Sequence, residues 1–184
     1  MTFIESETIE LKSSVVADLC KEVIAFANTR GGTLYIGVED NGTVIGVDSA
    51  DRVTLQINNM VRDSIKPDIT MFVHYETQVI NDKQIIAVIV QEGTDRPYYL
   101  GSKGLKPSGV YVRNGTSTDP ASDTAIRKMI KETDGDSFET MRSLEQNLSF
   151  QAAEAQFAKR KVPYDAAKMQ TLGMVSSDDI YSNV

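Results

Sequence analysis

Apolar residues recur at two spacings along the chain, and the switches between them mark out its elements. Around Ile9-Glu10-Leu11-Lys12 they alternate, so Ile9 and Leu11 face one side of a short strand and Glu10 and Lys12 the other. From Val15 to Thr29 the spacing lengthens to helical steps. Val16, Leu19, Cys20, Val23, Phe26 and Ala27 then form one buried stripe. Gly31-Gly32 stops this helix, since glycine enters the left-handed C-cap conformation without a Cβ clash. The run 33–38 is too apolar to have a wet face, which predicts a central strand. Asp40-Asn41-Gly42-Thr43 predicts a hairpin turn, with a return strand over 44–47.

A second helix is predicted over 49–65, with Val53, Ile57, Met60, Val61 and Ser64 on one side and Pro67 ending it. Residues 69–79 and 84–91 read as strands joined at Asn81-Asp82. A Gly-, Lys- and Ser-rich loop covers 101–109, followed by a strand over 109–113, a polar turn over 114–118 and a helix over 121–132. Helices interleaved with hairpin-linked strands make an α+β fold, with a mixed, largely antiparallel sheet and helices packed against it. Beyond Gly135 the texture changes. Residues 138–148 are polar and weakly periodic, and short helices are predicted over 150–160 and 164–172. The expected domains are therefore 1–135 and a helical extension, 136–184. The last residues resemble the start of something further, as if cut from a longer parent.

Composition narrows the chemistry. The single cysteine, Cys20, falls in the apolar stripe and reads as a small core residue, so no disulfide framework exists and a reducing cytoplasm is expected. One histidine, His74, and one distant cysteine cannot build a zinc site. No apolar run reaches membrane-spanning length, and the N-terminal residues are no signal peptide. The N-x-S/T triplets at Asn41, Asn114 and Asn147 then read as turns or chance. The net charge of −7 argues against a wholly electrostatic nucleic-acid binder. Its distribution is uneven, however: residues 94–131 hold seven basic and three acidic side chains, a local basic island. Scattered solvated charge is the plain alternative.

Three strings carry a resemblance: ESETIELK (5–12), AFANTRGGTLYIGVEDNGTVIGV (25–47) and GVYVRNGTST (109–118). Together they resemble the Schlafen AlbA-type (AlbA_2) domain, earlier labelled a divergent AAA domain, over residues 3–134. The resemblance implies a nucleic-acid-associated module, DNA before RNA, at the N-terminus of a transcriptional regulator. It also implies a homodimer. Despite the older label, the chain holds no G-x-x-x-x-G-K-[ST] string, so nucleotide hydrolysis is not expected.

Candidate residues fall in three groups. Arg96, Lys103, Lys106 and Arg113, interleaved with Tyr98, Tyr99 and Tyr111, offer cations to phosphates and aromatic faces to bases. Arg113 is the expected phosphate contact, and the plain alternative is a solvated hairpin. Arg127, Lys128 and Lys131 suit the end of their helix. Asn28, Thr29 and Gly31-Gly32 either cap the first helix or turn backbone N–H groups toward an anion beside Arg30. Finally, the Schlafen branch that cleaves structured RNA has an acidic triad, which Glu5, Glu10 and Asp40 match by residue type. Three converging carboxylates could hold Mg²⁺ or Mn²⁺, whereas nucleic-acid binding requires no cofactor. Glu5 and Glu10 converge only if the chain bends between them, and Lys12 could pair with Glu10. A binding module, a metal-dependent endoribonuclease and a structural or dimerisation domain thus stand as the three readings, with the non-enzymatic module preferred.

Overall fold

A computed structural model describes residues 3–133, 149–175 and 181. The chain forms two compact units, Met1–Ile130 and Lys131–Val184. In the first unit, strand β1 (Ile9–Lys12) leads through helix α1 (Leu19–Ala27) into β2 (Gly32–Ile36), which lies parallel to β1. Helix α2 (Ala50–Ser64) and the short β3 (Ile65–Lys66) follow, then the long hairpin of β4 (Val73–Ile80) and β5 (Lys83–Val90). β5 pairs antiparallel with both β2 and β4, so the sheet order is β1-β2-β5-β4. This is the expected α+β architecture, and the apolar β2 lies centrally, as its composition predicts.

The alternation along β2 and β5 places one core on each face of the sheet. Leu34, Ile36, Ile86, Val88 and Val90 meet Leu19, Val23 and Phe26 of α1 and Ile57 and Val61 of α2. On the other face Leu11, Val38 and Ile85 gather around Phe3, whose ring stands edge-on to Tyr35 at 4.8 Å. A third cluster joins Val110, Ala121, Ile126 and Met129. It forms where β6 (Tyr99–Leu100), the hairpin β7 (Tyr111–Asn114) and β8 (Ser117–Pro120), and helix α3 (Asp123–Thr133) come together. β6 pairs with β3.

Four expectations are corrected. The first helix begins at Leu19, leaving Val16 outside it and exposed. The return strand over 44–47 reduces to one bridge, Val38 to Val44, because the N–H groups of both Ile45 and Gly46 converge on the Gly37 carbonyl. Residues 70–72 form a turn of 3₁₀ helix, so the strand starts at Val73. The polar run 114–118 is not wholly turn, since its last residues open β8.

In the second unit, α4 (Gln151–Lys159) and α5 (Ala166–Thr171) occupy the predicted helical stretches. The rings of Phe157 and Tyr164 lie 5.0 Å apart. The polar segment 138–148 and most of the chain end lie outside the described residues. Among the described residues, no helix is long and apolar enough to cross a membrane.

Candidate nucleic-acid interface

Strand alternation puts Tyr111 and Arg113 on the same, inward side of β7. Arg113 is therefore enclosed rather than presented: its side chain is 0% exposed. One nitrogen, Nη1, donates to Glu10 at 2.9 Å, Glu22 at 3.2 Å and Thr118 Oγ1 at 3.0 Å. The other, Nη2, donates to the Ser6 carbonyl at 2.8 Å, while the guanidinium lies over the Phe26 ring, 4.9 Å from its centroid. Lys12 pairs with the remaining oxygen of Glu10, and the Thr118 hydroxyl donates to Glu22. Two cations and two carboxylates thus neutralise one another inside the fold, tying β1, α1 and the β7–β8 hairpin. Burial pushes the Glu22 carboxyl above its ordinary pKa, with the Glu10 charge adding to the effect. Burial works to lower the Lys12 pKa, but the bond to Glu10 and the charges of Glu10, Glu22 and Glu5 outweigh it, and the result is a rise.

The expected phosphate contact at Arg113 is accordingly an internal ion pair. Tyr98 is also fully buried, which leaves its ring no face for a base, and burial raises its hydroxyl pKa. Arg96 is partly buried and reaches Glu92 at 2.8 Å. Arg30 is exposed and lies 3.8 Å from Glu7. The anion-binding turn beside it does not form, because the N–H groups of Asn28, Thr29 and Gly31 bond to the Ile24 and Phe26 carbonyls.

Lys12 lies within the charge of both Glu5 and Glu10. A bridge between Ser6 and Ile9 bends the chain, and Glu5 accepts from the Leu11 N–H at 3.3 Å. Asp40 is exposed and lines an open pocket with Ser13, Glu39 and Asn41. Both Glu10 oxygens are already held by cations. Among the described residues no three His, Cys, Asp or Glu side chains group to hold a metal ion. The three carboxylates as arranged do not fit Mg²⁺ or Mn²⁺.

Two exposed cations, Lys103 and Lys106, lie on the 101–109 loop. Lys103 and Lys106 have no carboxylate partner among the described residues, while Lys66, exposed in β3, lies within the charge of Asp63 and Asp68. The loop itself is folded into turns. The N–H groups of Lys103 and Gly104 bond to the Leu100 carbonyl, and those of Gly109 and Val110 to the Lys106 carbonyl. Its two limbs approach so closely that a Cβ on Gly109 would sit 2.2 Å from the Gly104 carbonyl oxygen. Lys66 is placed alongside by the pairing of Lys66 with Tyr99. Tyr111 orients the loop from below: its hydroxyl donates to the Ser108 carbonyl at 3.0 Å and accepts from Lys103 at 3.3 Å. Lys21, paired with Asp18, stands 5.8 Å from the centre of the Tyr111 ring.

Asn28 fixes both ends of this excursion. Its amide donates to the Tyr98 carbonyl at 2.9 Å and the Tyr111 carbonyl at 3.0 Å, and its oxygen accepts from the Tyr98 N–H at 2.7 Å. Asn28 is the C-cap of α1, as the cap reading of the sequence expects, but its side chain serves the loop, and the sequence does not single out Glu22, Lys21 or Lys66. Glu22 left one clue, since it falls three residues after Leu19 and four before Phe26, next to the buried stripe.

A model of the Schlafen AlbA_2 family matches residues 5–122, and the chain belongs to that family. No curated protein gives a significant match. Among solved structures, the DIP2311 protein from Corynebacterium diphtheriae is similar in fold, with a TM-score of 0.53 at 16% identity. The match spans 96% of this chain but only 34% of that one, so this chain covers about a third of its length. The N-terminal domain of a RecG-related protein from Nitrosomonas europaea is 29% identical over 61% of this chain and 82% of that one, with a TM-score of 0.48.

Proposed function

We propose that this AlbA_2 domain is a nucleic-acid-binding module of a transcriptional regulator, with duplex DNA as its first target and two copies acting together. The observation that carries the reading is the ordered 101–109 loop, which offers Lys103 and Lys106 to solvent without carboxylate partners among the described residues and has the exposed Lys66 of β3 alongside. Lysines in such a position meet phosphate oxygens and give affinity without base readout. The net charge of −7 does not oppose this at short range, because salt screens charges beyond about 10 Å at 0.1 M. Family membership supports the same reading, through the association with nucleic acid that the resemblance implies. Binding of this kind needs no metal.

The test is a salt titration of binding to duplex DNA, single-stranded DNA and tRNA, run once with EDTA and once with Mn²⁺. Each phosphate contact contributes about 0.9 to the slope of log K against log salt for B-DNA. The variant K66Q/K103Q/K106Q should therefore flatten that slope by about 2–3. An unchanged slope would remove the loop from the interface. Mn²⁺-dependent shortening of tRNA, lost in Asp40→Ala, would replace the binding module with a nuclease.

A further inference from the structure

The sheet ends on one side in an open edge. Among the described residues β4 pairs only with β5, and the hairpin turns at Asn81 and Asp82, whose φ angles are 51° and 61°. Such a two-residue turn makes Ile80 and Lys83 a hydrogen-bonded pair. Alternation then aims the N–H and C=O groups of Tyr75, Thr77 and Val79 away from β5. No hydrogen bond among the described residues takes up these outward groups. Natural edges are commonly blunted by lysine or proline, and residues 73–80 contain neither. The edge also carries exposed apolar side chains, Val79 at 64% and, just before the strand, Met71 at 75%.

The sequence of this edge complements itself. Two copies laid antiparallel about a two-fold axis through Tyr75 would set His74 of each opposite Glu76 of the other, and Val73 opposite Thr77. Moving the axis to Glu76 would oppose two carboxylates, and moving it to His74 would oppose two imidazoles. The outward groups of Tyr75 would bond to those of the other Tyr75, which is the pairing an antiparallel ladder requires.

From this we infer that β4 is a homodimerisation surface, at which the sheets of two copies join antiparallel across an axis at Tyr75. The inference gives a surface to the two-copy state in the proposed function and rests on that part of it alone. Its test contains no nucleic acid, so failure here would leave the lysine loop untouched.

Sedimentation of the purified chain from roughly 1 µM to 1 mM suits a single-strand contact, which belongs to the small, weak class of interfaces. The mass should climb from 20.3 kDa toward twice that value. Thr77→Pro removes an outward N–H while sparing the ladder to β5, and should weaken association about tenfold or more. At pH 6, His74→Glu and Glu76→Lys should each weaken it about threefold or more, and H74E/E76K should restore it. This charge cycle decides the matter even if the proline variant fails to fold. A mass of 20.3 kDa throughout, or a dimer indifferent to the cycle, would overturn the inference.

Discussion

Replacing Arg113 by methionine separates the two roles a cationic strand residue can have. The substitution keeps much of the apolar stem over Phe26 but removes the charge that Glu10 and Glu22 share. Glu10 retains Lys12, whereas Glu22 is left with the Thr118 hydroxyl inside the fold. Removing one partner of a buried ion pair costs about 3–5 kcal/mol, because the stranded charge stays out of water. For a chain of this size each kcal/mol lowers the Tm by about 2–4 °C, so a fall of about 6–20 °C is expected. The assay is thermal unfolding by circular dichroism, paired with the DNA salt titration at a temperature where the variant is folded. R113M should melt early with an unchanged salt slope, and R113M/E22Q should regain at least about 1 kcal/mol. The reasoning fails if R113M melts like the parent, or if its salt slope drops by about one at constant Tm, the mark of a phosphate contact.

Two further outcomes follow from the buried polar groups. Asn28→Asp keeps the acceptor for the Tyr98 N–H but turns a second oxygen toward the Tyr98 and Tyr111 carbonyls. It should cost about 2–4 kcal/mol and speed amide exchange at Leu100 and Gly109; wild-type exchange would exclude Asn28 as the loop's anchor. Tyr75 has a buried hydroxyl with no hydrogen-bond partner among the described residues, and burial pushes its pKa up to about 12. Between pH 10 and 12 the folded protein keeps this proton and the unfolded chain loses it, so stability falls as pH rises. Tyr75→Phe should stabilise the protein by about 1 kcal/mol at pH 7 and more at pH 11, measured by urea unfolding, and a loss of stability would reveal a partner for the hydroxyl.

Much of the sheet could be read in the sequence because its signals are local. Asn81-Asp82 announces a tight turn, and the apolar 33–38 run can only be central. Pro67 closes α2 within a few residues of its predicted end. The candidate site was harder to read. Whether Arg113 points outward depends on which face of β7 the core lies against, and its partners Glu10 and Glu22 are 103 and 91 residues away. A valine beside an arginine reads the same whichever of them is buried. Gly46, with a φ of 81°, breaks the return strand in a way the apolar run 44–47 conceals. The Thr116-Ser117-Thr118 run reads as turn because its polar side chains hide that Thr118 bonds inward.

The Asn28 clamp has a consequence for how such a domain can diversify. One side chain holds the main chain on both sides of the excursion, at Tyr98 and at Tyr111. The stretch 101–108 is mostly exposed and meets the cores chiefly through the Tyr111 hydroxyl, so most of its side chains are free of core packing. The clamp works as a socket: different loops could be exchanged between the same two pins while the scaffold beneath stays constant. A domain built this way can acquire new targets by replacing one segment, and an engineer could graft there for the same reason.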